Sequence, residues 1–256
     1  MTNDKSIVPL DWQIPLEIRS RLGTSVGRQR SMQADGHLLL VTHSPPRPED
    51  HVRAFRLFWR APDGTWKSTE PGNGMNSLEN LLGEYEDRIA ALDSYEQDAK
   101  TADAYFNVLE ELTPIHRATR NLYQVLQDAR KMCPEYLDLI DLRNRAYAID
   151  RTAELLLSGT QNALDVTVAK RAEEQARTSH QMATAAHRLN ILAAFFFPII
   201  TVTAIVGIDL ARVGSTLGFE VADRFLPFVF AGVILVGFVA GAILTHFINR
   251  RPSSTP

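Results

Sequence analysis

Leu189–Ile208 reads LNILAAFFFPIITVTAIVGI, 20 residues without a charge, in which Asn190, Thr201 and Thr203 are the polar side chains. A helix rises about 1.5 Å per residue, so this stretch matches a bilayer core of roughly 30 Å. A second run, Phe225–Ile248, has 24 residues, no formal charge, and one titratable group near its end, His246. Buried core helices are usually shorter and keep a polar stripe. The two runs therefore read as transmembrane helices, and the chain as an integral membrane protein whose first partner is the lipid bilayer.

Bulk composition hides this, because 45% hydrophobic and 22% charged residues are ordinary for a soluble protein. The flanks carry more information. Met1–Leu10 lacks the apolar segment of a signal peptide, so the long polar region ahead of the first span is expected to stay in the cytoplasm. Arg177 and Arg188 before the first span, and Arg250 and Arg251 after the second, favour both termini inside; the connecting loop has only Arg212 and Arg224. The single cysteine, Cys133, excludes an internal disulfide and any multi-cysteine metal site. A net charge of −3 gives no reason to invoke nucleic acid.

Upstream, residues 1–76 read as a small α+β region. Pro15–Leu22 is expected as a short helix; Gln29–Ala34 and His37–His43 form a hairpin about Asp35-Gly36; Val52–Arg60 turns at Pro62-Asp63-Gly64 into Thr65–Ser68. After Gly72-Asn73-Gly74 the periodicity becomes helical, with Leu78, Leu81, Leu82, Tyr85, Ile89 and Leu92 at three- and four-residue steps, continuing to Leu109 and ending before Pro114. This helix carries ten acidic residues between Glu79 and Glu111, against Arg88 and Lys100. A second, more basic helix is expected over Ile115–Met132, paired antiparallel with the first. Pro134 and Pro198 then bracket a stretch with no proline and one glycine, Gly159, so a helix starting near Glu135 is expected to run into the first span, with a bend at Ser158-Gly159. Its length would be on the order of 100 Å. Helices this long normally need partners, which points to self-association. The expected division is residues 77–188 for the helical hairpin and stalk, 189–208 and 225–248 for the spans, 209–224 for an external loop, and 249–256 for a cytoplasmic tail.

The stretch His187–Thr201, HRLNILAAFFFPIIT, resembles the CorA family of divalent-cation channels and its ZntB-type relatives at the start of the first span and its aromatic-proline step. Gly207-Ile208-Asp209 ends eleven residues beyond Pro198, where the family carries a Gly-Met-Asn signature. The similarity covers roughly Leu78–Arg251, and the N-terminal region does not align. The resemblance implies a mainly α membrane protein with a long stalk helix continuing into the first of two C-terminal spans. It also implies a homopentamer in a bacterial inner membrane, moving Mg²⁺, with Co²⁺ or Zn²⁺ as alternative transported or regulatory ions. A Zn²⁺ transporter of the ZntB type, and a non-conducting membrane-anchored scaffold or sensor, are the two rival readings.

The departure from the signature matters. Glycine is kept, but isoleucine and aspartate replace methionine and asparagine. A ring of Asp209 carboxylates, one per subunit, would attract hydrated divalent cations, since hard cations prefer oxygen; the alternative is that Asp209 is the first charge beyond a helix end. Leu189, Phe197, Ile200 and Ala204 are the candidate pore lining, by position relative to Pro198 and Gly207, with Leu189 and Phe197 as apolar constrictions. Packing between helices is the competing role for each. Glu220 and Asp223 in the loop would concentrate cations at the pore mouth or simply be solvated.

A literal Gly74-Met75-Asn76 lies far from either span, and Asn76 or Ser77 is better explained as a helix N-cap. In the second span Gly232, Gly237 and Gly241, with Ala231 and Ala240, form a small-residue surface suited to helix packing. His246 reads as interfacial. The acidic helix is expected to be a solvated face, with regulatory cation binding the lesser alternative. His37, His43 and His51 lack metal-ligand spacing. No Gly-rich phosphate loop, nucleophile elbow or His-Glu-x-x-His motif occurs, so no catalytic residue and no permanently bound cofactor is expected.

Overall fold

Asp35 and Gly36 both take positive φ, 47° and 75°, the geometry of the tight turn that an Asp-Gly pair between strands favours. They join β1 (Arg30–Ala34) to β2 (His37–His43), with Ala34 opposite His37. β3 (Phe55–Arg60) and β4 (Trp66–Ser68) follow, and the four strands pair in sequence order as an antiparallel meander. The expected hairpin and its successors are present. The computed structural model describes residues 7–23, 27–47, 54–217, 228, 231–232, 234–243 and 245–246. It divides into two compact units, Met1–Lys170 and Arg171–Pro256.

The composition of β2 follows from its position in the first unit. An antiparallel strand with one wet face alternates apolar and polar residues. β2 instead reads HLLLVTH and is buried from Leu38 to His43. Both its faces are covered. Leu38 and Leu40, with Phe58 and Trp66, join the core made with the helices that follow. Leu39 and Val41, with Leu57 and Trp59, pack under Val8, Trp12, Ile14 and Ile18, the last on α1 (Leu16–Ser20). The short N-terminal helix thus closes the outer face of the sheet.

α2 spans Gly74–Asp98 and buries Leu78, Leu81, Leu82, Tyr85, Ile89 and Leu92 on one stripe. Its N-cap is Asn73, whose Oδ1 accepts from the Met75 N–H at 3.0 Å. This corrects the expected cap at Asn76 or Ser77, and the reason is a contact with β4. A Cβ on Gly74 would come within 2.5 Å of the Lys67 backbone nitrogen, so the helix starts where only glycine can pass the end of β4. The literal Gly-Met-Asn is therefore the first turn of α2, in the first unit.

The break between the two expected helices is also corrected. α2 ends at Asp98, and α3 runs over Ala102–Met132 with Pro114 inside it. Thr101 begins α3 by accepting from the Ala104 N–H at 3.2 Å. Proline in a helix interior costs about 3 kcal/mol. Here Leu112 and Ile115, both fully buried, flank it, and burying such side chains returns about 1.5–3 kcal/mol each. Burial on both sides outweighs the local breaker. The ion pair joining α2 to α3 is Arg88 with Glu111, two residues of the stretch expected as one acidic helix.

α4 spans Asp138–Leu217 and packs on the first unit through Leu139, Leu142, Ala146, Ile149 and Ala153, alternating steps of three and four. The helix is not interrupted at Ser158-Gly159; Thr160, buried, bonds back to the Leu156 carbonyl at 2.7 Å. The connection from α3 is docked on the sheet. Tyr136 donates to the Gly36 carbonyl at 2.8 Å, while the Arg60 guanidinium lies 3.5 Å from the centre of the Tyr136 ring. Cys133, buried at the end of α3, has its thiol pushed up by burial, with Glu135 adding to the shift.

The mainly helical architecture, the small N-terminal antiparallel sheet and the long helix carrying an apolar run are as the sequence implies.

Candidate functional site

In the second unit the apolar segment of α4 faces α5 (Ile234–Ile243). Contact is made by small against large. A Cβ built on Gly237 would lie 3.0 Å from Ile199 Cα, and one on Gly241 would lie 2.7 Å from the Phe195 carbonyl oxygen. Phe195 and Ile199 are one turn apart, as are Gly237 and Gly241, so two successive glycines receive two successive side chains. Phe195 also meets Phe238 edge-on, ring centres 4.9 Å apart at 84°. Of the expected small-residue surface, Gly237 and Gly241 are in the contact; a Cβ built on Gly232 would meet nothing within 4 Å among the described residues, and Ala231 is exposed.

At about 100° per residue, Phe195 and Ile199 occupy one side of α4, and Leu189, Phe197, Ile200 and Ala204 fall within an arc of about 80° on the far side. All four of these are exposed, Leu189 by 68%, Phe197 by 71% and Ile200 by 64%. The candidate lining thus shares one face, and that face is not the one covered by α5. None of the apolar window that makes α4 long and apolar enough to cross a membrane is buried. Its hydroxyls are satisfied within the helix: Thr201 bonds to the Phe197 carbonyl at 2.8 Å and Thr203 to that of Ile199 at 2.7 Å. Such back-bonding lets a polar side chain sit in apolar surroundings.

Gly207, Ile208 and Asp209 lie within α4, which continues past the expected end at Ile208 to Leu217. Apolarity marks where lipid would end, not where a backbone helix stops, and α4 runs on through Gly207 and Gly214. Glu220 and Asp223 lie outside the described residues, as do Phe225 and Ile248 at the ends of the second expected span. His246 is helical and exposed.

The acidic helices of the first unit are tied down by arginines that periodicity did not connect to them. Glu84 is held in two bonds by Arg56 of β3, at 2.8 and 3.0 Å. Glu86 is held likewise by Arg145 of α4, at 2.8 and 2.7 Å, and this pairing keeps its carboxyl below the ordinary value. Among the described residues no three His, Cys, Asp or Glu side chains converge to hold a metal ion. His37 Nδ1 accepts from Trp59 Nε1 at 3.1 Å, a stacking and hydrogen-bonding role inside the sheet; His43 is buried, and its carbonyl accepts from Tyr85; His51 lies outside the described residues.

No family model matches the sequence, and no curated protein matches it. Among solved structures, the chain is similar to the complete structure of the CorA magnesium transporter from Methanocaldococcus jannaschii, with TM-score 0.44 and 13% identity over 91% of this chain and 86% of that one. It is also similar to the structure of the full-length CmaX protein, with TM-score 0.42 and 13% identity over 91% of this chain and 83% of that one.

Proposed function

We propose that the chain is a CorA-like divalent-cation channel or transporter, assembled from several copies in a membrane, with Mg²⁺ as its cargo. The observation that supports this reading is the exposed apolar face of α4, Leu189, Phe197, Ile200 and Ala204, set away from the face that packs on α5. Copies of α4 arranged around an axis would turn this face inward. Leu189 and Phe197 then form apolar constrictions that gate by dewetting, and Asp209 supplies a ring of carboxylates to the approaching hydrated ion. Pentameric assembly, a bacterial inner membrane and cytoplasmic termini belong to the same proposal, and the resemblance of His187–Thr201 and Gly207-Ile208-Asp209 is what recommends them.

Reconstitution of the purified oligomer into liposomes containing a Mg²⁺- or Co²⁺-sensitive dye tests the proposal. Cation entry driven by a gradient is the expected result, and a correctly assembled oligomer without flux overturns it. Competition between Mg²⁺ and Zn²⁺ in the same assay separates a magnesium channel from a Zn²⁺ transporter.

A further inference from the structure

A cleft of about 310 Å³ opens between the sheet and α3, lined by Gln29, by His43 at the end of β2 with Ser44 and Arg47 after it, and by Glu110, Pro114, Arg117 and Asn121 along α3. Its volume falls in the range of small-molecule sites, roughly 300–1,000 Å³. The lining residues of α3 recur at steps of three and four, so the cleft follows one face of that helix.

Two features of its walls lack an explanation in the fold alone. Gln29 Nε2 donates to the Ala118 carbonyl at 3.1 Å, which fixes the orientation of the amide. Gln29 Oε1 is then buried with no hydrogen-bond donor. Leaving such an acceptor unmade costs about 1–3 kcal/mol. On the opposite wall, Pro114 has no N–H to give the Glu110 carbonyl, and Glu110 is exposed. The buried Gln29 oxygen is the acceptor that calls for a donor from outside the protein. The cationic side is equally specific. Arg117 is exposed and forms no ion pair among the described residues, and Arg47 stands in the same lining.

We propose that this cleft binds a small anionic metabolite that also carries hydroxyl groups, of the size and chemistry of a sugar phosphate. Arg117 and Arg47 receive the anion, guanidinium being suited to two-point recognition of phosphate or carboxylate. The hydroxyls donate to Gln29 Oε1 and to the Glu110 side of the cleft. The site is separate from ion conduction, and it stands whether or not the chain moves cations.

Calorimetric titration of the full-length protein in detergent tests this, at fixed ionic strength, with ribose 5-phosphate, ribose, inorganic phosphate and glutamate as probes. Ribose 5-phosphate is expected to bind at least tenfold more tightly than phosphate or ribose alone. Glutamate binding more tightly than ribose 5-phosphate overturns the sugar-phosphate assignment. Arg117→Ala should weaken ribose 5-phosphate at least tenfold, and Gln29→Leu severalfold, while Arg151→Ala, on α4 outside the cleft, leaves it unchanged. Equal affinity in wild type and Arg117→Ala overturns the proposal, as does the absence of binding by all four probes at millimolar concentration. Thermal unfolding of each variant without ligand identifies any loss that is merely a loss of fold.

Discussion

Gly241 and the Phe195 carbonyl stand so close that a Cβ at position 241 would sit 2.7 Å from that oxygen. The next glycine one turn earlier, Gly237, receives Ile199 in the same way. Backbone, not a flexible side chain, is the obstacle at 241, so the contact cannot yield by a rotamer change.

Gly241→Ala is therefore expected to destabilise the helix pair by about 1–3 kcal/mol, the usual cost of overpacking. Gly232→Ala, where the added Cβ would meet nothing within 4 Å among the described residues, is expected to stabilise by up to about 1 kcal/mol through helix propensity. Unfolding of the two variants in detergent, compared with wild type, checks both signs at once. Equal effects from the two substitutions would remove the Gly241–Phe195 contact from the account.

The literal Gly-Met-Asn makes a second pair of expectations. Gly74→Ala forces a methyl group against the Lys67 backbone and should cost about 1–3 kcal/mol of stability in the first unit. Asn76→Ala should leave cation flux unchanged, since that residue sits in the first turn of α2. A flux defect in Asn76→Ala with normal stability would restore the tripeptide as a functional signature.

Glu86 and Arg145 give a pH signature. The Arg145 hydrogen bonds lower the Glu86 carboxyl from its ordinary 4.5, so the pair contributes stability above that value and loses it as pH falls through the lower folded value. Both side chains are more than a third exposed, at 38% and 44%, which limits the contribution to on the order of 0.5 kcal/mol. Denaturant unfolding should show Glu86→Gln less stable than wild type at pH 7, with the gap closing in strong acid. A gap that persists there would assign the loss to packing.

Cys133 is fully buried, and its thiol is held up by that burial. A thiol-reactive dye is expected to leave the native protein unlabelled near neutral pH and to label it completely in denaturant. Rapid labelling of the native state would show that the end of α3 opens.

Phe197→Ala tests the proposed constriction. The side chain is 71% exposed in one chain, so truncation should leave the unfolding midpoint nearly unchanged. In reconstituted liposomes the same variant should raise cation leak. Unaltered flux with normal assembly would take Phe197 out of the gate. Asp209→Ala is expected to lower flux several-fold at limiting cation concentration, and normal flux would remove Asp209 from ion capture.

The sheet and the apolar helices were legible because their signals are short-range. Asp35-Gly36 sets a turn by its own backbone preference, and LNILAAFFFPIITVTAIVGI needs no partner to be recognised as lipid-compatible. What failed depended on distant residues. Pro114 reads as a breaker until Leu112 and Ile115 are seen buried on either side of it. The cap at Asn73 was hidden because the close approach of Lys67 to Gly74 is a tertiary fact. The candidate lining of α4 was placed by spacing, but only the seating of Phe195 and Ile199 on α5 tells which side of the helix is already occupied. The cleft beside α3 had no sequence signal, because Gln29 and Ala118 meet across 89 positions.

The pairing of neighbours in order along the chain also bears on how the protein is made. Each strand joins the one before it, α2 and α3 follow directly, and the last residues to complete that core, Ile149 and Ala153, precede Leu189 by more than thirty positions. Contacts of this local kind form quickly. Synthesis from the N-terminus therefore permits the first unit to close its hydrophobic core before the apolar helix has left the ribosome. The segments with the greatest tendency to aggregate in water would then emerge attached to a domain already folded.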